Sequence, residues 1–448
     1  MADSPSMRFR LLETTRDFAR IKLAIAQSDA GLRERHLAHY LSLAEKAAPE
    51  LTGPHQAEWL ACLETEHENL RAALAYALSV SGQLPVVGGK KEGAEEVSLT
   101  DTGHRALATE QGVRLAVALG RFWYSHSWYS EGREIIALGI RKNPNRTCNE
   151  QGHALHWAGV LAYMQGDHDE ARRLSGECLT IFRGTGDRKG EAAALNVLGL
   201  VALEQGDHGE ARQIYEESLA IQRELGHKQG ISALLTNLGI LTYEQGDNQA
   251  ARRLYEESLA LSRELGDQRG IALSLVNLGL LARNEGDYEE ARRLQLESLD
   301  IHREVGDKGG IALSLGNLGG VAEEQGNCGE ARRLLTEALA LRRELGDKRG
   351  IAHALTGLGH VASREGKAAR AARLLGAVGA LREAIRAPIA PPDRVKYDRT
   401  IATAKAAIGE EAFDRAYAEG RAMTLDAAIE YAMDQSRDSR PATRDPGE

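Results

Sequence analysis

The chain has 448 residues, of which 42% are hydrophobic, and its formal net charge is −9. This acidic balance argues against broad nucleic-acid binding, because phosphate contacts need clustered basic side chains. The sequence has no run of about 18 apolar residues and no apolar N-terminal stretch typical of a signal peptide, so we expect a cytoplasmic protein without a membrane span. The cysteines share no short spacing, which argues against a zinc site and a disulfide framework. They are Cys62, Cys148, Cys178 and Cys328.

The N-terminal part of the chain divides into three segments. Residues 8–14, RFRLLET, resemble the end of the winged-helix segment in large bacterial STAND-class ATPase transcriptional regulators, and we assign 1–35 to a remnant of it. Residues 67–74, HENLRAAL, resemble the helical spacer of the same regulators, which predicts a helical spacer over 36–81. Residues 82–104 are rich in Gly, Lys, Glu and Thr, a composition typical of a polar linker.

A unit of about 40 residues recurs over 151–387 with almost no drift in register. Each unit has a glycine preceded by an apolar residue, a second glycine seven residues later and a small residue five further on. In the third copy these are Gly239, Gly246 and Ala251. Six clear copies predict a solenoid, whose function lies in a surface rather than in a buried catalytic centre. A degenerate earlier copy is expected over 105–150.

Each unit predicts two antiparallel helices, which we name A and B. Apolar residues recur at helical spacing on both sides of a turn, where Gly246 can take the left-handed conformation and Asp247 can cap helix B. In four copies an acid stands three residues after the cap and completes a capping box, as at Asn327 and Glu330. A glycine inside helix A, such as Gly239, is costly unless another helix passes close to the backbone there.

This pattern resembles the tetratricopeptide repeat, with Asn-Leu-Gly in helix A and Gly-Asp at the turn. Along helix B the same resemblance rests on an alanine, an aromatic and a small residue, which are Ala251, Tyr255 and Ser258 in the third copy. The chain departs from the family's shorter form by its longer period and by the absence of proline at the end of helix B. The resemblance implies an all-α fold, an α-solenoid with about seven helical hairpins wound into a right-handed superhelix.

The C-terminal part of the chain carries a further resemblance to the same regulators. Residues 410–425, EEAFDRAYAEGRAMTL, resemble their helical cap, which assigns 388–434 to a C-terminal helical cap. Residues 435–448 are expected to be disordered. The sequence contains no G-x-x-x-x-G-K-[ST] phosphate loop, so the ATPase module is missing. We interpret the chain as the sensor half of such a regulator, standing alone or cut from a longer one.

No catalytic constellation or cofactor motif is recognisable, so we expect no enzymatic activity, no cofactor and no metal. His153 and His156 lie three residues apart on one predicted helix face, but a third metal ligand is not evident. The paired arginines of helix B, such as Arg252 and Arg253, precede glutamates by four residues. This local charge balance favours a solvated convex face over a basic stripe.

The remaining candidate site is the concave groove, which the A helices line in tetratricopeptide arrays. The positions that point into it, carried over from the family, are Tyr124, His156, Tyr163, Asn196, Leu200, Ile240, Tyr243, Glu244, Arg283 and Asn284, with Glu323 and Glu324 farther along. An apolar, aromatic wall with a few polar groups suits a peptide, a partner helix or a small ligand. Packing between repeats is an equally good interpretation for Leu200 and Ile240. The family's carboxylate clamp for chaperone tails is not matched.

Two functional classes follow from these observations. The first is a non-enzymatic protein–protein interaction module of bacterial signalling, which binds a peptide, a partner protein or an effector in the groove. The second is the small-molecule-sensing half of a transcriptional regulator, which acts with a separately encoded ATPase or DNA-binding partner. Neither class requires direct contact with nucleic acid or with a membrane.

Overall fold

The computed structural model describes residues 29–78, 102–142 and 149–434, apart from residues 386, 388 and 390. Over these residues the chain forms 20 helices and no β-strand. Most of the predicted winged-helix remnant, nearly all of the predicted polar linker and all of the predicted tail lie outside the described residues.

Three helices precede the first hairpin: α1 (Asp29–Glu50), α2 (Gln56–Thr65) and α3 (His67–Ala77). Because α1 runs through residues 35 and 36, no helix boundary lies at the predicted start of the spacer. Helices α4 (Thr102–Ser125) and α5 (Tyr129–Lys142) then form a hairpin in the region of the predicted degenerate copy.

Six further hairpins follow, each built from an A helix and a B helix. The A helices are α6 (Asn149–Met164), α8 (Arg188–Glu204), α10 (Lys228–Glu244), α12 (Gln268–Asn284), α14 (Lys308–Glu324) and α16 (Lys348–Arg364). The B helices are α7 (His168–Thr185), α9 (His208–Glu224), α11 (Asn248–Leu265), α13 (Tyr288–Glu304), α15 (Cys328–Leu345) and α17 (Ala368–Ala384). After the last hairpin come α18 (Pro391–Ile408), α19 (Glu410–Arg421) and α20 (Leu425–Met433). The predicted all-α solenoid is confirmed.

A glycine with positive φ occupies every turn from α6 to α17, both within and between hairpins. Gly246 has a φ of 87°, and the Asp247 carboxylate after it accepts a hydrogen bond of 2.9 Å from the backbone N–H of Ala250. The sequence predicted caps only within hairpins, but most turns between hairpins also carry a capping aspartate. Asn327 makes no side-chain cap hydrogen bond, so the capping box expected there is not formed.

The glycine inside several A helices makes room for a large side chain of helix B. A Cβ at Gly239 would lie 2.4 Å from Cε1 of the buried Tyr255, and one at Gly199 would lie 2.5 Å from Cε1 of Tyr215. A side chain larger than hydrogen would displace these rings from the core. The close approach predicted at Gly239 is therefore confirmed, and a tyrosine ring makes it.

The array curls until its later turns reach its first helices. The guanidinium of Arg269 at the start of α12 donates a hydrogen bond of 2.7 Å to Ser125 Oγ at the end of α4, across 144 residues of sequence. Arg349 of α16 forms an ion pair with Glu204 of α8. Because neighbouring A helices contact each other more extensively than neighbouring B helices do, the A helices face the inside of this curl.

Helix α18 packs against α16 and α17 at the end of the array. Its Lys396 forms ion pairs with Glu323 and Glu324 of α14, and its buried Tyr397 donates a hydrogen bond of 3.2 Å to the Leu375 carbonyl. The two glutamates were expected to face an open groove, but the C-terminal helix engages both of them. No helix within the described ranges combines the length and the hydropathy that a bilayer crossing requires.

Candidate functional site: an inner cavity of the solenoid

A cavity of about 630 Å³ lies inside the curl of the array, and we call it the inner cavity. One wall comes from α4, α5, the start of α2 and the turn between α6 and α7. The other wall comes from the N-terminal ends of α10, α12, α14 and α16 and from the end of α17. The contact between Arg269 and Ser125 joins the two walls.

Three tyrosines, Tyr124, Tyr129 and Tyr163, line the first wall, and we call them the tyrosine wall. The Tyr163 hydroxyl donates a hydrogen bond of 3.2 Å to Glu204, and burial raises its pKa to about 12. Burial also raises the pKa of Tyr129. Both phenols therefore stay protonated at physiological pH, and their rings offer uncharged aromatic surface.

The opposite wall contains buried pairs of oppositely charged side chains. Asp307 is 5% exposed and accepts a hydrogen bond of 3.0 Å from the Gly310 N–H, while Arg269 lies 2.7 Å and His302 Nδ1 3.2 Å from its carboxylate. Burial alone would raise the pKa of Asp307, but Arg269 and His302 hold it below its usual range. The ionised Asp307 thus fixes Arg269, whose guanidinium lies 5.0 Å from the centre of the Tyr124 ring.

Of the ten predicted groove residues, the structure places Tyr124 and Tyr163 in the lining of the inner cavity. Three of the others belong to hydrogen bonds that link neighbouring A helices. Asn237 donates to Asn196 over 2.7 Å, and Asn284 donates to the Tyr243 hydroxyl over 2.6 Å. A similar hydrogen bond joins Tyr163 to Glu204 of the next A helix. The polar groups that were expected to meet a ligand therefore also link neighbouring repeats.

Four other predicted groove residues are partly buried within the array. Ile240 packs against the buried clusters on both sides of it, which supports the packing interpretation, and Leu200 is partly buried. The Glu244 carboxylate lies 3.3 Å from His208 Nε2, and burial raises the pKa of Glu244. Arg283 lies beside Gly320 of α14.

The two histidines considered for metal binding have separate surroundings. His153 Nε2 lies 3.1 Å from the Asp187 carboxylate, whereas the Nδ1 atom of His156 is buried without a hydrogen-bond partner. Burial, with the charges of His153 and Arg121, lowers the pKa of His156 to about 4. In the part of the chain that the structure describes, no three His, Cys, Asp or Glu side chains are grouped to hold a metal ion.

The arginines of the B helices pair both locally and with the next hairpin. Arg293 pairs with the glutamate four residues later, as the sequence predicted. Arg252 Nη2 lies 2.6 Å from Glu285 and Arg292 Nη1 lies 3.0 Å from Glu330, so each pairs with the following hairpin. These partners are farther along the sequence because stacking brings the turn of the next hairpin beside helix B. The pairs are partly exposed and link neighbouring repeats.

One repeat position that was not predicted from the sequence contributes to the inner cavity from several copies. It is the residue before the glycine in the first turn of helix A, and Gln229, Arg269, Gly309 and Arg349 occupy it in the cavity lining. The signal was variation in identity and charge at one position of an otherwise regular turn. Arg121 and Tyr129 lie outside the six clear copies and carry no such signal.

Comparison with known families identifies the repeats. The family model described as "Tetratricopeptide repeat" matches residues 150–224, 191–264, 230–304, 270–344 and 310–384, which together span more than half of the chain. This chain belongs to the tetratricopeptide repeat family. No curated protein sequence matches this tetratricopeptide repeat protein significantly.

Solved structures resemble the tetratricopeptide repeat protein in fold. The Rap conjugation gene regulator of the plasmid pLS20, solved in complex with the Phr* peptide, has a TM-score of 0.53 and 13% identity, over 83% of this chain and 98% of that one. A Rap protein complexed with competence and sporulation factor has a TM-score of 0.45 and 13% identity, over 72% and 95% of the two chains. The first likeness shows that the helical solenoid is shared.

Proposed function

We propose that this tetratricopeptide repeat protein is a non-enzymatic interaction module of bacterial signalling, and that it binds a peptide segment in the inner cavity. The observation that carries the proposal is the cavity itself, which has the tyrosine wall on one side and charged turns with interspersed leucines on the other. Aromatic faces bind apolar side chains, while the charged turns offer hydrogen bonds to a peptide backbone.

Two further observations support this proposal. The Rap regulator that shares the solenoid fold was solved with a peptide bound, which makes a peptide the first ligand class to test. The segments at 8–14, 67–74 and 410–425 resemble those of bacterial STAND-class regulators, which supports a role in signalling and transcription regulation inside the cell.

A pair of exposed leucines allows a direct test. Leu273 lines the inner cavity and is 39% exposed, whereas Leu296 on α13 is 41% exposed and lies outside the cavity lining. We would select binders from a pool of short random peptides on the immobilised protein and measure the best one by calorimetry. Leu273→Asp should weaken binding by about 100-fold, because a charge is desolvated opposite an apolar ligand. Leu296→Asp should leave binding unchanged, and equal effects of the two variants would refute binding in the cavity.

A small-molecule effector is the second candidate. The cavity volume of about 630 Å³ falls in the range of small-ligand sites, and the resemblance to sensor regions of ATPase regulators favours an effector that acts through a separately encoded partner. If the peptide pool gives no binder, a metabolite extract should be screened with the same two leucine variants. Loss of metabolite binding in Leu273→Asp alone would support this candidate.

A further inference from the structure

The inner cavity is more cationic than the chain as a whole. Five of its lining residues are Arg or Lys and three are Asp, while the complete sequence carries a net charge of −9. An excess of positive charge within an acidic protein favours an anionic ligand at this place.

Most of these charges already have partners. Arg269 is paired with Asp307, Arg342 with Asp347 over 2.7 Å, and Arg349 with Glu204. Lys348 is exposed to solvent. Asp caps occupy the N-termini of α12, α14 and α16, so these three ends hold no free anion site.

Arg121 is the exception. Its side chain on α4 is partly buried and lines the inner cavity, and its guanidinium carbon lies 5.8 Å from the centre of the Tyr124 ring. Among the described residues, no side chain or carbonyl forms a hydrogen bond or an ion pair with it. The charge of Asp267 acts on Arg121, but that carboxylate caps α12 by accepting a hydrogen bond of 3.2 Å from the Gly270 N–H.

Arg121 is partly buried in the cavity and forms no ion pair, so an anionic ligand group would gain a charge-assisted hydrogen bond there without displacing a partner. A guanidinium binds carboxylate and phosphate groups equally well by geometry, through two parallel hydrogen bonds. A phosphate carries about two charges, whereas Arg121 offers one. The singly charged carboxylate is the group that balances it.

We propose that Arg121 binds a carboxylate of the peptide ligand, so that the inner cavity selects peptides that present a carboxylate next to apolar or aromatic side chains. This inference rests on the proposed function and adds the chemistry of the ligand. Tyr124 lies beside Arg121 and Tyr129 lines the same cavity, so these rings would contact the apolar neighbour of that carboxylate.

The test uses three pools of short random peptides with blocked N-termini. The first has free C-termini and lacks Asp and Glu, the second has amidated C-termini and contains Asp and Glu, and the third is amidated and lacks both acids. The wild-type protein should retain peptides from the first or the second pool at least about 10-fold more than from the third, as expected for loss of a charge-assisted hydrogen bond. Retention of the first pool identifies a terminal carboxylate, and retention of the second identifies an acidic side chain.

Substitutions of Arg121, with a control substitution on the same helix, test whether Arg121 causes this selectivity. Arg121→Gln should lose the preference for carboxylate-bearing peptides, and Arg121→Lys should keep part of it. Arg114→Gln is the matched control, since Arg114 lies on the same helix and pairs with the exposed Glu45. The melting temperature of Arg121→Gln should be at or above that of the wild type, because a partly buried cation that forms no ion pair is removed.

Each outcome bears on one of the two proposals. Equal retention of the third pool, or an unchanged preference in Arg121→Gln, would overturn the carboxylate site while leaving peptide binding intact. If the wild-type protein retains none of the pools, peptide binding itself fails and the carboxylate site fails with it. The comparison between pools uses only the wild-type protein, so it decides the question even if Arg121→Gln does not fold.

Discussion

Arg269 Nη1 donates a hydrogen bond to Ser125 Oγ across 2.7 Å, although 144 residues separate them in sequence. The same guanidinium lies 2.7 Å from the buried Asp307 carboxylate. Arg269 therefore belongs to a charge pair within its own part of the array and to the contact that closes the inner cavity. Its two roles have different energies and can be separated by mutation.

Arg269→Leu should destabilise the array strongly. It leaves the Asp307 carboxylate buried without its main cation, which costs about 3 kcal/mol or more. Ser125→Ala removes only the closing hydrogen bond and should cost about 1 kcal/mol. Melting temperatures from calorimetry measure both, and Arg269→Leu combined with Asp307→Asn should recover part of the loss. Similar melting temperatures for the two single variants would show that Asp307 does not depend on Arg269.

His156 should make stability depend on pH. Its pKa is lowered from 6.5 to about 4 in the folded protein, chiefly by burial, so the unfolded chain binds the proton more tightly. The stabilisation is complete above pH 6.5 and is lost as pH falls from 6.5 towards 4, with about 2 kcal/mol lost at pH 5. His156→Gln should therefore show a smaller drop in melting temperature between pH 7 and pH 5. The exposed His55 provides the control. If the melting temperature of His156→Gln falls between pH 7 and pH 5 by as much as that of His55→Gln, His156 is not the group responsible for the pH dependence.

Two glycines inside helices should respond to alanine with opposite signs. A Cβ at Gly239 would lie 2.4 Å from the Tyr255 ring, so Gly239→Ala should destabilise the third copy by about 1–3 kcal/mol through overpacking. A Cβ at Gly176 in α7 would meet no neighbouring group within 4 Å, and Gly176→Ala should stabilise by up to about 1 kcal/mol. Thermal unfolding of both variants tests the pair. A stabilised Gly239→Ala protein would show that the tyrosine ring moves without cost.

Lys396 should hold the C-terminal helix α18 on the array. Lys396→Ala removes a cation from the buried Glu323, which keeps Arg364 at 2.9 Å, so we expect a loss of about 2 kcal/mol. Hydrogen exchange should then rise in 391–408 while the central repeats stay protected, because solenoid repeats depend on their neighbours only. Lys405→Ala on the same helix breaks pairs with the exposed Glu410 and Asp414 and should change little. Equal exchange in the two variants would exclude this role for Lys396.

Much of the solenoid follows from local sequence signals. Gly246 and Asp247 mark a turn because glycine tolerates positive φ and aspartate caps a helix, and both effects depend on adjacent residues alone. Gly239 indicated that another group packs closely against its helix backbone. The sequence did not reveal that this group is the ring of Tyr255. A period of about 40 residues repeats these signals, so fold class and hairpin order could be predicted.

The inner cavity depends on tertiary structure. The curl that brings Arg269 to Ser125 accumulates from a small rotation at each repeat, which depends on the packing between neighbouring hairpins and leaves no mark in the 40-residue pattern. The sequence placed Tyr243 and Asn284 in a groove, but the repeat pattern did not reveal that they also form a hydrogen bond between neighbouring A helices. The sequence by itself determined the helices, their turns and their pairing, because these are local. Only the tertiary structure decided that Arg121 would lie in a cavity without an ion pair, because the other walls of that cavity come from helices far away in the chain.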